Sequence, residues 1–441
     1  MQNLIENINN DNENIRFESL KNLISTEVIK VSQSNEVNNH VHTKFSFSPY
    51  YPAMAAFKAY KAGLIAVGSM DHDSISGAKE MIKACEIIGI GSTVGFELRV
   101  NLNETKLEGK KVNNPDSENI AYIAIHGIPK NKIDEAKEFL KPINIERNVR
   151  NKKMVNKLNS IITTFGIEEI DFEEDIYKMS MAKYGGSITE RHILFAFSNK
   201  ILNKYKKGKD VVNFLINNLQ LELTEKIKNL LTDENNIHYV YDLLGVLKSS
   251  FIKLFFIQPN YEECINIQKV VDFASSINAI PAYAYLGDIT ESPTGDKKPE
   301  KFEDEYLDLL ISEIKRIGFK AVTYMPPRNT LEQLKRVQNL CIKNDLMEIS
   351  GVDINSSRQI FNCPEILKPD FSHLINSTWA LIAHEKLTNI NPDFSLFGNK
   401  YLSNLLLYDK IKVYSVVGKK LDMKNTDKIS QELINTILRG E

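Results

Sequence analysis

Seven short apolar runs, each closing on polar residues, constrain this chain more than any other feature. They fall at 37–42, 64–70, 92–98, 121–126, 279–285, 319–325 and 346–353. All are rich in Val, Ile and Tyr and mostly too short for helices, so each reads as a buried strand. Amphipathic helical stretches at 52–62, 75–88, 303–317 and 329–344 separate several of them, and Gly63 and Gly89 supply helix stop signals. Strand, helix, strand at this rhythm predicts an α/β fold built on a parallel sheet or barrel.

The rhythm sets expected boundaries. Residues 1–35 form an N-terminal helical segment, and 36–130 carry the first four strands. The stretch 131–275 is almost wholly helical in pattern and too long for a loop, so it reads as a helical insertion. Residues 276–360 return to strands, and 361–441 form a mostly helical C-terminal extension. The polar stretch 99–120, with Gly, Asn and Pro, looks like a hairpin excursion.

Composition narrows the setting. Of 441 residues, 42% are hydrophobic and 25% charged, which is ordinary for a globular chain of this size. A net charge of -2 gives no argument for a long nucleic acid or a membrane as partner. Cys85, Cys264, Cys341 and Cys363 lie far apart with no C-x-x-C pair, so a thiolate zinc site is not expected and a reducing, cytoplasmic setting is. The polar, acidic first residues do not resemble a signal peptide.

Only eight histidines occur, and several sit at expected strand ends. His40 and His42 are two apart, which puts both imidazoles on one face of a strand. Asp71 and His72 end the second run, with Asp73 or Ser74 placed to cap the next helix. Glu97 follows Val94-Gly95-Phe96, where a buried carboxylate calls for a metal or a salt bridge to a base such as Arg99. His126 ends the fourth run and Asp353 the seventh, with Asn355 two residues further on. All were expected at carboxyl ends of successive parallel strands, where barrels and open sheets collect their chemistry. Histidine and carboxylate donors without thiolate suit Mn, Fe or Zn.

The order of these motifs resembles the PHP (polymerase and histidinol phosphatase) family over roughly residues 37–360. His40-Val41-His42-Thr43 is similar to its H-x-H-T, Asp71-His72-Asp73 to its D-H-D, and Gly95-Phe96-Glu97 to its G-x-E. His126 stands for its fourth-strand histidine, and Val352-Asp353-Ile354-Asn355 for its closing S-D-x-H. Thr189-Glu190-Arg191-His192 resembles an element of the phosphoesterase branch, preceded by a basic helix at 147–159. The resemblance implies a distorted (β/α)7 barrel holding divalent metal ions, one or two per chain here. His40, His42, Glu97 and Asp353 would hold the first; Glu97 and His126 remain for a second, completed by His192, Asp288 or Tyr285. His72 alone remains of a third. The departures are Phe47, Tyr285 and Asn355 at usual ligand places.

The resemblance also implies roles. His192 and Asp71 would be catalytic, with His192 protonating the leaving group. Arg191, Arg150, Arg147 and Lys44 would bind phosphate, and Arg358 is a further candidate. The expected activity is hydrolysis of a small-molecule or short-nucleotide phosphoester by metal-activated water. Amide hydrolysis on the same site, and a degenerate metal-binding or regulatory module, are the alternatives. His384 is expected to be a satisfied core histidine.

Overall fold

The structure, a computed structural model, describes residues 2–26, 31–114, 117–288 and 303–440. Seven strands form one nearly closed barrel-like sheet in sequence order: β1 (Val37–Val41), β2 (Ala66–His72), β3 (Gly91–Asn101), β4 (Ile120–His126), β5 (Ile280–Ala284), β6 (Ala321–Tyr324) and β7 (Met347–Ser350). Helices including Pro52–Lys61, Ala78–Ile88, Leu307–Ile317 and Leu331–Lys343 connect and cover them. The α/β barrel expected from the apolar runs is present, distorted in two ways.

The first distortion corrects the all-parallel expectation. β4 pairs antiparallel with both β3 and β5, while the other neighbours are parallel. The excursion after β3 turns the chain back on itself, as a hairpin connection does, whereas a parallel strand needs a crossover. His126 therefore enters from the other direction. It pairs with Ile280 at the start of β5, and β4 aligns Ile125 with Phe96. A Cβ on Gly95 would lie 2.3 Å from the Ile125 carbonyl and 3.3 Å from the His126 Cα, so glycine permits this close approach.

The second distortion is the seam between β1 and β7. A single parallel bridge, Val41 to Ile354, closes it. Two asparagine side chains supply the bonds a ladder would. Asn38 Oδ1 accepts from the His40 and Val352 amides, and its Nδ2 donates to the Val352 carbonyl. Asn39 Nδ2 donates to the Ser350 carbonyl and to Thr378 Oγ1. Beyond the seam, the His42 amide donates to the Ile354 carbonyl at 3.0 Å, which sets Asp353 beside His42.

The insertion carries its own core. Met154, Leu158, Ile193, Phe197, Leu243 and Phe255 belong to one buried apolar cluster. Its flanks do not: Ile133, Leu140 and Ile143 on one side, and Ile267 and Val271 on the other, pack into the barrel core. The patterns at 131–140 and 146–164 are a single helix, Ile133–Ile162, which runs through Pro142. The expected helix at 210–230 breaks instead, with Gln220 at φ +54°. In the extension, the helix His373–Ile390 is buried on nearly every side from Ser377 to Thr388. It packs against β3 and β7 at the end of the barrel where β3 begins. There Glu385 accepts from the Val94 amide, and Ile382 lies against Gly91.

Candidate metal centre

Six side chains named from the sequence converge. His40 lies in β1 and His42 directly follows it, His72 ends β2, Glu97 lies within β3, His126 ends β4 and Asp353 follows β7. The paired positions His72–Glu97 and Glu97–Ala124 place these residues on one face of the sheet. Glu97 is the centre: His40 Nε2 is 3.5 Å from Oε2, His42 Nε2 is 3.4 Å from Oε1, and His72 Nδ1 is 2.8 Å from Oε1. His42 Nε2 also lies 3.2 Å from Asp353 Oδ1. The same Asp353 oxygen accepts from Asn355 Nδ2 at 2.7 Å, so Asn355 orients the carboxylate that its position follows.

Two observations test whether this set fits a divalent cation. The Nε2 atoms of His42 and His126 are buried and have no hydrogen-bond partner, although buried polar atoms ordinarily find one. The separations of 3.2 to 3.5 Å among His40, His42, Glu97 and Asp353 match the ligand-to-ligand edge of about 3.4 Å expected for a tetrahedron with bonds of about 2.1 Å, whereas His72 stands at hydrogen-bond distance from Glu97. The triads His40, His42, Asp353 and His42, His72, Glu97 each present donors within 4.8 Å of one another. The residues fit.

Electrostatics agree. Burial opposes the charged form of His42, but Asp353, Glu97 and Asp71 together push it up to about 9. Burial would raise Glu97, yet His72 and His40 hold it well below the usual carboxylate range. Asp353 is lowered in the same way by His42 and His40, against its burial. Burial pushes His126 down to about 3, with His40 adding to the effect, and lowers His72 as well. Two carboxylates gathered around the buried His42 ring favour a positive charge there, which a proton on His42 or a cation can provide.

Other sequence-derived site residues are placed differently. Asp71 does not face the centre: its carboxylate accepts from Thr43 N, Thr43 Oγ1 and Ser46 Oγ, so it is not positioned to touch a substrate. Arg147 and Arg150, expected to bind phosphate, are instead engaged by buried carboxylates. Arg147 pairs with buried Asp73, and Arg150 with Glu190 at 2.7 Å and Glu263 at 2.6 Å, alongside Arg99 on the same two glutamates. Three guanidinium groups thus meet three carboxylates. Lys44 turns toward Asp11 and the Tyr51 ring, and Arg358 is held by Asp242.

His192 lies at the start of the helix Glu190–Lys204, where its Nδ1 accepts from the Thr189 amide at 3.0 Å. Burial pushes it down to about 3, with the backbone bond opposing and Arg147 reinforcing that fall. A ring kept neutral holds its proton on Nε2, where it donates a hydrogen bond but does not deliver an acid proton near neutral pH. His192 is absent from the donor groups found among the described residues. Arg191 beside it is partly buried and has no hydrogen bond or ion pair among the described residues.

The three departures have structural reasons. Phe47 joins the apolar core of the insertion, packing edge-on against His192 at 5.0 Å. Tyr285 falls on the opposite sheet face from Ala282, and its hydroxyl donates to Asp304. Asp288 Oδ1 accepts from the Glu303 and Asp304 amides. His384 is satisfied, with Nδ1 accepting from Leu396 N and Nε2 against the Asn278 carbonyl. The residues missed by sequence reasoning are Ser46, Asn38, Asn39, Glu190 and Glu263; Glu190 stands in the Thr189–His192 motif without being singled out, and for each at least one partner is distant in the chain.

No protein-family model and no curated protein matches the chain. Solved structures do match. One is a Bifidobacterium adolescentis protein assigned as a metal-dependent phosphoesterase, 16% identical with a TM-score of 0.48, over 78% of this chain and 96% of that one. Another is a Chromobacterium violaceum amidohydrolase with bound sulfate, 15% identical with a TM-score of 0.47, over 77% of this chain and 96% of that one. At that level of likeness the chemistry rests on this chain's own residues. Those residues define an α/β barrel with a histidine and carboxylate donor set of the kind that holds a divalent metal.

Proposed function

We propose that this protein is a PHP-type metal-dependent hydrolase acting on a small-molecule or short-nucleotide phosphoester. The observation that carries the reading is the convergence of His40, Glu97 and Asp353 on buried His42, whose Nε2 lies 3.2 Å from Asp353 and 3.4 Å from Glu97 without a hydrogen bond. These four would hold one divalent cation, Mn, Fe or Zn, with His72 and His126 at its sides. A bound cation of this kind supplies Lewis-acid polarisation and brings the pKa of a water toward neutrality.

The chain's own groups do the rest. Arg191, unpaired at a helix N-terminus, supports an anionic substrate, because a guanidinium fork fits phosphate and the helix end favours negative charge. His192 would donate Nε2–H to a substrate oxygen. The arginine network fixes the insertion residues Glu190 and Glu263 beside β3, and we assign 131–275 as the unit that shapes substrate entry. Four unpaired, buried cysteines support a reducing, cytoplasmic setting.

The test is elemental analysis of the undialysed protein, then turnover of p-nitrophenyl phosphate and its diester. Wild type should carry about one equivalent of metal and turn over one of the two. Glu97→Gln should lose both the metal and the turnover while keeping the wild-type circular dichroism. Protein that takes up none of the three metals, or a Glu97→Gln variant with undiminished turnover, would sink the reading.

A further inference from the structure

Asp71 is buried beneath the centre and touches none of the donors, yet its hydrogen bonds reach one of them. Its carboxylate receives three donors: Thr43 N at 2.6 Å, Thr43 Oγ1 at 2.7 Å and Ser46 Oγ at 2.7 Å. A carboxylate only accepts, and a serine hydroxyl has one proton to give. If Ser46 turned that proton toward His42, two acceptor oxygens would face each other at 2.7 Å with nothing between them. The Ser46 proton therefore points to Asp71. Ser46 Oγ lies 3.3 Å from His42 Nδ1, and toward that nitrogen it can only accept.

We infer that Asp71 and Ser46 form a positioning relay that keeps the proton of His42 on Nδ1, so that the Nε2 lone pair is free for a cation held between it, Glu97 and Asp353. The inference rests on the metal-centre reading above. His42 is enclosed, with Ser46 fully buried beneath it and the His72 ring stacked on it at 4.6 Å. Ser46 Oγ is the hydrogen-bond contact of His42 Nδ1 among the described residues. A ligating histidine whose other nitrogen is held by a carboxylate-linked group has its tautomer and ring plane set in advance, and losing such a partner weakens metal binding by about 10–100-fold.

Asp71 also anchors the turn carrying Ser46. Thr43 gives it both its amide and its hydroxyl, so the carboxylate holds the backbone after β1 and the serine orientation together. This explains why a carboxylate sits next to His72 in sequence without joining the donors: strand alternation turns it to the other face.

The experiment measures zinc affinity by competition with a chromogenic chelator for wild type, Ser46→Ala and Asp71→Asn. Ser46→Ala should bind about 10–100-fold more weakly. Asp71→Asn should lose less, because its amide oxygen can take the Oδ1 place and still accept from Thr43 N and Ser46. A second readout uses 15N-histidine protein loaded with zinc, with the His42 signals assigned by their loss in His42→Gln. Wild type should show a proton on Nδ1 protected from exchange with water, and Ser46→Ala should lose that protection. Ser46→Ala with wild-type affinity, or an unprotected Nδ1 in wild type, overturns the relay. If wild type binds no metal at all, the metal reading fails. The relay, which rests on that reading, then falls with it, whereas metal-binding wild type with an unaffected Ser46→Ala variant overturns the relay alone.

Discussion

Phe47 shows how one side chain can change allegiance. It stands five residues after His42, where the resemblance implies a carboxylate ligand. Here it is 7% exposed and belongs to the apolar cluster of the insertion, near Phe195 and Tyr241. The position now fastens the loop after β1 to the helical unit. Phe47→Ala removes a large buried side chain, and we expect a loss of about 3–5 kcal/mol in stability by chemical denaturation. Metal stoichiometry should stay at the wild-type value, since Phe47 offers no donor. A fall in metal content would show that the ring supports the centre. At the same scale, the proton on His192 Nε2 and the orientation of Asp353 by Asn355 follow from single hydrogen bonds.

Between elements, the arginine network does what a cluster of buried charges must: every charge has a partner. Glu263 sits 3% exposed between Arg99, Arg150 and Arg147, joining β3 to the helix Ile133–Ile162. Removing one member leaves buried cations uncompensated, which costs about 3–5 kcal/mol. Glu263→Gln should therefore lower the denaturation midpoint substantially, and double replacement of Glu263 and Arg150 by apolar residues should recover part of the loss. A shift within error for the single variant would mean that water reaches the cluster. The helix His373–Ile390 holds a different buried carboxylate. Burial pushes Glu385 up to about 8, with the Val94 amide and Lys386 only partly opposing it. The folded state then keeps a proton that the unfolded chain has released. Stability from this group is full below its ordinary value near 4.5 and is lost as pH rises through about 8. Thermal scans should show wild type losing stability relative to Glu385→Gln across that window. Parallel curves for the two proteins would refute the assignment.

For the whole molecule, the donors come from β1, β2, β3, β4 and the turn after β7, so the centre spans the seam that Asn38 and Asn39 stitch. A cation bound there ties the first and last strands of the barrel together. Binding only to the folded state stabilises it by about 2.7 kcal/mol when free metal is a hundredfold above the dissociation constant. Zinc or manganese should therefore raise the unfolding midpoint of wild type and leave Glu97→Gln unmoved. An equal rise in both proteins would place the metal elsewhere. Among the described residues no helix is long and apolar enough to cross a membrane.

Strand positions and the candidate donor residues were legible in the sequence because both are local signals. Period-two alternation puts His40 with His42, and an apolar run ending in Glu97 or Asp353 marks a strand with a charge at its end. The tertiary structure alone decided the direction of β4, since a hairpin and a crossover both begin with a polar loop. It also decided which face Tyr285 takes, because the start of β5 sets the alternation and its register comes from pairing with β4. The fates of Arg147 and Arg150 were likewise out of reach of local reading. Their carboxylate partners, Asp73, Glu190 and Glu263, lie 40 to 113 residues away, and only the fold brings them within hydrogen-bond distance. An arginine in a sequence states its charge; which anion neutralises it is a question of three-dimensional proximity and the cost of leaving a buried charge alone.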